Sequence, residues 1–176
     1  MIFQSLLTSK LSKKKLNEIL RLKNSHWNKG IESQKKWFKN NAKSHDYHNI
    51  MMLNNNVIGY TFIAKRKLKI KISNKREKTN NYLLFQTLII KKNYRNFVNL
   101  RKFMNFNNKI IIKLKKVSFL LCKKNKIKMY KFFKWKVLKK NNYKVPDHKH
   151  NLTGMFFNSK LFSESKNKKF SFYYYS

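Results

Sequence analysis

The sequence predicts a mixed α/β protein: one domain with a mostly antiparallel sheet flanked by about four helices, in the order β-α-α-β-β-β-α-β-α-β-β. Three observations carry that expectation. Residues 11–24 and 31–42 place apolar side chains at helical spacing. Asn54-Asn55-Asn56 lies between two apolar runs, the chemistry of a tight hairpin turn. Residues 82–135 read as apolar strand, short turn, helix, apolar strand, polar turn and short helix. A chain of 176 residues suits one domain. It is placed at 1–160, with 161–176, ending FSFYYYS, as a C-terminal tail without a clear partner.

Each element has its own warrant. Residues 2–8 (IFQSLLT) suit a short first strand. In 11–24, Leu11, Leu16, Ile19, Leu20 and Leu22 share a broad helical face, and Ser12 is a natural N-cap. Ser25-His26-Trp27 follows that helix. The second helix, 31–42, carries Ile31, Gln34, Trp37 and Phe38. Strands 48–54 and 57–67 form the hairpin around the asparagines, and Gly59 inside the return strand marks a bulge or a close backbone approach. Residues 68–80 read as a loop or ragged strand extension. Tyr82–Ile90 is apolar throughout, as expected of a central strand. After a turn at 91–96, a helix from about Val98 to Lys113 buries Leu100, Phe103, Met104 and Ile110 or Ile111. Val117–Cys122 is another buried strand, Asn125 begins a short helix through Phe133, and 134–139 and 151–157 close the sheet.

Charge points elsewhere. Lys and Arg number 43 against 6 Asp and Glu, a formal net charge of +37. Such a balance normally marks a nucleic-acid or anionic-surface partner, so a basic RNA- or ribosome-associated protein without catalysis is one reading. The excess, however, is 38 lysines and only 5 arginines, whereas phosphate and base recognition favour the bidentate arginine fork. Lysine runs along the whole chain, and 24 asparagines accompany 3 glycines, 1 proline and 2 alanines. That composition follows A/T-rich codons, so nucleic-acid binding is expected to be non-specific. No run of 18 apolar residues predicts a membrane helix. The N-terminus lacks the pattern of a secretory signal, and a lone Cys122 excludes an internal disulfide. A cytoplasmic protein is expected.

The run Leu88-Ile89-Ile90-Lys91-Lys92-Asn93-Tyr94-Arg95-Asn96-Phe97-Val98-Asn99-Leu100 joins a strand to a helix through an arginine-bearing turn. Further on come Asn125 and then Met129-Tyr130-Lys131-Phe132-Phe133, and upstream stands Val57-Ile58-Gly59-Tyr60. In this order and spacing, over roughly residues 5–157, the chain resembles the GNAT superfamily of N-acetyltransferases. The resemblance implies acetyl-CoA as co-substrate and a small amine or amino-sugar acceptor. It implies cofactor contacts at Leu88, Ile90, Arg95, Asn96, Phe97, Val98, Asn99, Leu100 and Asn125. Tyr130 is implied as the general acid that protonates the leaving thiolate. His26, Trp27 and Gln86 are implied as acceptor-side residues.

The chemistry behind these assignments is ordinary. A pyrophosphate is held by backbone N–H groups and the positive end of a helix, and a phenol in a dry site donates well to a developing anion. The superfamily's phosphate loop has glycines that admit the phosphates; here Val98 and Leu100 stand in their places, the loop is degenerate, and an inactive protein of the same fold is a third reading. No acid lies between Asp46 and Glu77 or from Arg95 to Val145. The central strand therefore offers Gln86 and Thr87 but no carboxylate base. His45-Asp46-Tyr47-His48, His148-Lys149-His150 and Cys122 fit no standard zinc spacing, and no metal is expected.

Overall fold

The computed structural model describes residues 1–72, 76–149, 151–159 and 168–175. Residues 73–75 of the expected 68–80 loop, His150, Lys160, and residues 161–167 and 176 of the expected tail lie outside the described residues. In chain order the elements are β1 (Ile2–Leu7), α1 (Lys13–Trp27), α2 (Ile31–Asn41), β2 (Tyr47–Leu53), β3 (Asn56–Ile72), β4 (Lys78–Ile90), α3 (Phe97–Lys113), β5 (Ser118–Cys122), α4 (Ile127–Phe132), β6 (Lys136–Val137), β7 (Tyr143–Lys144), β8 (Thr153–Phe157) and β9 (Lys168–Phe172). The expected order holds through α4. The expected strand at 134–139 shrinks to two residues, and β7 and β9 are added. The residues group into two compact units, Met1–Ala64 with Gln86–Ile110, and Lys65–Phe85 with Ile111–Ser176.

In the first unit, β1 pairs antiparallel with β2, and β2 with β3. Asn54 and Asn55 both take positive φ (46° and 61°), the geometry of a two-residue hairpin turn that asparagine tolerates best after glycine. The register passes from Met51↔Gly59 to Met52↔Val57, so Ile58 is the extra residue of a bulge. Gly59 is also a close approach: a Cβ there would lie 2.8 Å from Met51 Cε and 3.3 Å from Phe103 Cε1. Both expectations for this glycine are met. Ser12 caps α1, its Oγ accepting from Lys15 N at 3.2 Å. That helix runs further than expected, through Ser25, His26 and Trp27, and stops where Asn28 turns left-handed at φ 43°. Phe103 packs with Met51, Ile58 and Ile90, and Leu100 is only partly buried against them. Asn107 sits fully buried in α3, accepting from Asn49 Nδ2 at 2.8 Å and donating to Phe103 O.

In the second unit, β4 runs parallel to β5 over two register pairs only, Leu83↔Ser118 and Leu84↔Phe119. β5 also pairs antiparallel with β8 along its whole length, Ser118–Cys122, and β8 pairs with β6. Leu68–Ile72 of β3 pairs with β9, and β9 with β7. The C-terminal aromatics, without an evident partner in the sequence, are thus built into the sheet. Phe172 stacks on Phe119 with centroids 3.8 Å apart, and Tyr82 donates to Tyr173 O. Asp147 accepts from the N–H groups of Tyr174 and Tyr175. No described helix is long and apolar enough to cross a membrane.

Candidate active site

The first unit contains the strand–turn–helix segment. Leu88 is partly buried against the core and Ile90 buried; the chain then turns at Lys92–Tyr94. Asn96 sets the start of α3: its Oδ1 accepts from Asn99 N at 2.9 Å and its carbonyl from Leu100 N at 3.0 Å. Asn99 Nδ2 ties back to Tyr94 O. Arg95 Nε and Nη2 both donate to Ile90 O, and Nη2 lies 3.3 Å from His26 Nδ1. Beside this turn is a cavity of ≈ 160 Å³ lined by Ser25, His26, Lys91, Lys92 and Arg95 among others, with no carboxylate. Partial burial, and secondly the Arg95 charge, hold His26 below the usual imidazole range. The two residues standing where glycines are expected part company: Val98 is exposed, as is Phe97, while Leu100 faces the core.

A second cavity of the same unit, ≈ 270 Å³, is lined by Lys23, Trp27, Lys29, Ser33, Gln34, Trp37, Gln86 and Thr87. Two of the three expected acceptor-side residues, Trp27 and Gln86, meet here, and His26 opens on the smaller cavity instead. Thr87 holds φ at 63°, a left-handed conformation strained for a β-branched residue in mid-strand. Lys23 is the residue the sequence reading missed. It is only 3% exposed, and its Nζ stands 3.4 Å from the Trp37 ring centroid. It makes no hydrogen bond or ion pair among the described residues. Burial pulls its ammonium down to about 7. The Trp37 face works the other way, since a cation over an aromatic ring gains about 0.5–2 kcal/mol. A signal was present in the sequence: Lys23 falls three residues after Leu20 and four after Ile19, on the apolar face of α1.

The same unit buries a second titratable cluster. His48 Nε2 lies 2.8 Å from Thr8 Oγ1 and Nδ1 2.8 Å from Tyr60 Oη, with the ring against Phe38 and Phe62. Burial lowers it to about 4, the Asp46 charge opposing and the Lys23 charge adding. Both of its ring nitrogens are occupied, and among the described residues no three His, Cys, Asp or Glu side chains converge on a metal position.

In the second unit, Tyr130 lies in α4 and Asn125 in the single 3-10 turn, Lys124–Lys126, that precedes it, so the helix itself begins two residues after Asn125. Asn125 is exposed. The Tyr130 ring meets Phe85 and Trp135 edge-on, and its hydroxyl makes no hydrogen bond among the described residues. Burial first, then the nearby Cys122, push its phenol well above the ordinary range, so the proton is retained at any physiological pH.

No family model matches this sequence, and no curated protein matches it. Solved structures do. The chain is similar to Escherichia coli ElaA, with 16% identity, TM-score 0.64, and coverage of 89% of this chain and 99% of that one. It is similar to the Bacillus subtilis N-acetyltransferase YlbP in complex with coenzyme A (14%, TM-score 0.54, 90% and 96%). It is also similar to the Escherichia coli GNAT-family N-acetyltransferase YhbS in complex with CoA (6%, TM-score 0.60, 97% and 88%). The fold is that of the GNAT N-acetyltransferases, as the sequence motifs implied.

Proposed function

We propose that this protein transfers an acyl group, acetyl in the first instance, from acyl-CoA to a primary amine by direct attack, without a covalent enzyme intermediate. The observation that carries this reading is the cationic cavity at the strand–turn–helix segment. Lys91, Lys92 and Arg95 gather beside the start of α3, with Arg95 pinned to Ile90 O. Such a site suits the phosphates of a nucleotide cofactor, and the structural neighbours YlbP and YhbS are complexes with CoA. Leu88 and Ile90, with the turn Arg95–Leu100, form the cofactor side in this reading, and Asn125 its pantetheine contact. Trp27 and Gln86 line the acceptor side, and His26 belongs with the phosphate cavity. Tyr130, protonated and in an apolar setting, donates the proton to the departing thiolate.

The acceptor is a small amine or amino sugar, and the site of action the cytoplasm. An RNA-associated role has weaker support. The exposed large rings among the described residues, Trp27 of α1, Phe97 of α3, Phe132 of α4 and Tyr175 beyond β9, each come from a different segment. Calorimetric titration with acetyl-CoA and with a generic RNA at two salt concentrations separates the readings. Acetyl-CoA is expected to bind, and Arg95→Ala to weaken it by about 1.5–3 kcal/mol, the range for a charged hydrogen bond. RNA binding is expected to be weak and steeply salt-dependent. Tight, structure-selective RNA binding at about 0.15 M salt with no response to acetyl-CoA reverses the conclusion.

A further inference from the structure

We propose that Lys23, whose Nζ stands over the Trp37 ring in the wall of the ≈ 270 Å³ cavity that Gln86 and Thr87 also line, is the general base of the reaction and takes the proton from the acceptor ammonium. This inference rests on the acyl-transfer reading above. It answers a gap in that reading, since the central strand carries no carboxylate and Gln86 and Thr87 cannot deprotonate an amine. Lys23 has the attributes a base needs. Its amine is desolvated, its side chain lines a cavity, and it has no carboxylate to hold it protonated.

The charged neighbours agree. On α1 itself stand Arg21 and His26, and Lys29 follows in the connection to α2. Glu32 of α2 is paired with Lys35, and Glu18 of α1 with Lys15. On the β2 side lie His48 and, preceding the strand, Asp46, which accepts from Lys43 N. β4 presents only Gln86 and Thr87. Burial brings Lys23 to about 7.

The step balances. Lys23 Nζ takes one proton from R–NH3+, leaving R–NH2. The amine lone pair forms the C–N bond to the thioester carbonyl carbon while the C–S bond breaks, its electron pair leaving on sulfur. The new amide nitrogen gives its surplus proton to water, and the thiolate takes one from the proposed acid Tyr130, which water reprotonates. Lys23 then releases its proton to water, so one proton appears per turnover. The same charge pattern selects the acceptor: with two lysines and no acid on the cavity wall, a monoamine that is neutral or anionic elsewhere suits it better than a polyamine.

Two measurements on the full chain test this. First, with lysines 13C-labelled at Cε, the resonance missing from Lys23→Met is followed with pH, with and without acetyl-CoA. It is expected to titrate at about 7, well below the ordinary lysine value of about 10.4. Second, CoA release is followed with n-propylamine, glucosamine and a short peptide with a free N-terminus as acceptors. Lys23→Met, which keeps the hydrocarbon stem, is expected to lower kcat/KM by about 10²–10⁴-fold. It should also remove the wild-type inflection at about pH 7 and leave acetyl-CoA affinity unchanged.

Titration of Lys23 near 10, or an unmoved rate and pH profile in Lys23→Met, overturns the assignment. So does an acetyl group found on Lys23 Nζ by mass spectrometry, which would make it an acceptor. Failure of wild type to bind acetyl-CoA brings down the acyl-transfer reading and this inference with it, whereas normal binding with an unchanged Lys23→Met profile sinks the inference alone. If wild type binds acetyl-CoA but turns over none of the three amines, the titration decides.

Discussion

His48 and Lys23 are both buried in the first unit, and their surroundings differ in one respect. His48 has a polar partner on each ring nitrogen, Thr8 and Tyr60, and aromatic rings around it. Lys23 has an aromatic ring, a cavity, and no polar partner among the described residues. A buried group whose hydrogen bonds are complete is part of the scaffold; a buried group left incomplete beside open space is available for chemistry. The second unit repeats the contrast in tyrosines. Tyr82 spends its hydroxyl on Tyr173 O, while that of Tyr130 bonds to no described residue.

The contrast is broken most decisively through Tyr130. Tyr130→Phe keeps the ring against Phe85 and Trp135 and removes only the donor. Turnover is expected to fall by about 10²–10⁴-fold, the usual contribution of general acid catalysis, with acetyl-CoA affinity and thermal stability unchanged. Tyr82→Phe is the control; it should cost about 1 kcal/mol of stability, the net worth of a hydrogen bond. If Tyr130→Phe unfolds the protein or leaves turnover intact, Tyr130 belongs with Tyr82.

Stability gives the next test, with opposite signs at the two sites. His48→Leu leaves Tyr60 Oη buried without its His48 partner, and Thr8 Oγ1 with only Asp46 O at 3.4 Å, and should destabilise by about 1–3 kcal/mol in urea denaturation. Lys23→Met removes a desolvated amine and should stabilise, by about 1–4 kcal/mol at pH 7, as apolar replacement of buried charge often does. Equal signs would erase the distinction.

The smallest effect is graded with pH. Native His48 is lowered to about 4 against 6.5 in the unfolded chain. Between those values the unfolded chain binds the extra proton, so His48's contribution is complete above pH 6.5 and lost as pH falls toward 4. The loss is about 3 kcal/mol in all. Lys23, lowered to about 7 against 10.5, makes stability rise with pH from 7 to 10.5. Denaturation midpoints across pH 4–10 should show both slopes, with the upper one absent in Lys23→Met and the lower one absent in His48→Leu.

Much of the fold was legible because its signals are local. Ser12 as a cap, the left-handed Asn54-Asn55 turn and Gly59 at a bulge each follow from one residue's own conformational preferences. The continuation of α1 through Ser25-His26-Trp27 was less so, since the polar Ser25 and His26 interrupt the apolar pattern before Trp27. The partner of β9 was not legible at all. It lies about a hundred residues back along the chain, on Leu68–Ile72, and a five-residue strand with two phenylalanines carries no indication of which edge it will join.

The candidate site divides the same way. The sequence by itself determined the arginine-bearing turn, the absence of a carboxylate on the central strand, and the presence of Val98 and Leu100 where the resemblance expects glycines. These are statements about residue type and order, which no folding can alter. Only the tertiary structure decided that Val98 faces solvent while Leu100 turns to the core. Only there do Trp27, Trp37, Gln34, Gln86 and Thr87 line one cavity, with Lys23 among them. One lysine in 38 is distinguished not by its chemistry but by losing its water, and desolvation is a property of the packed surroundings rather than of the chain.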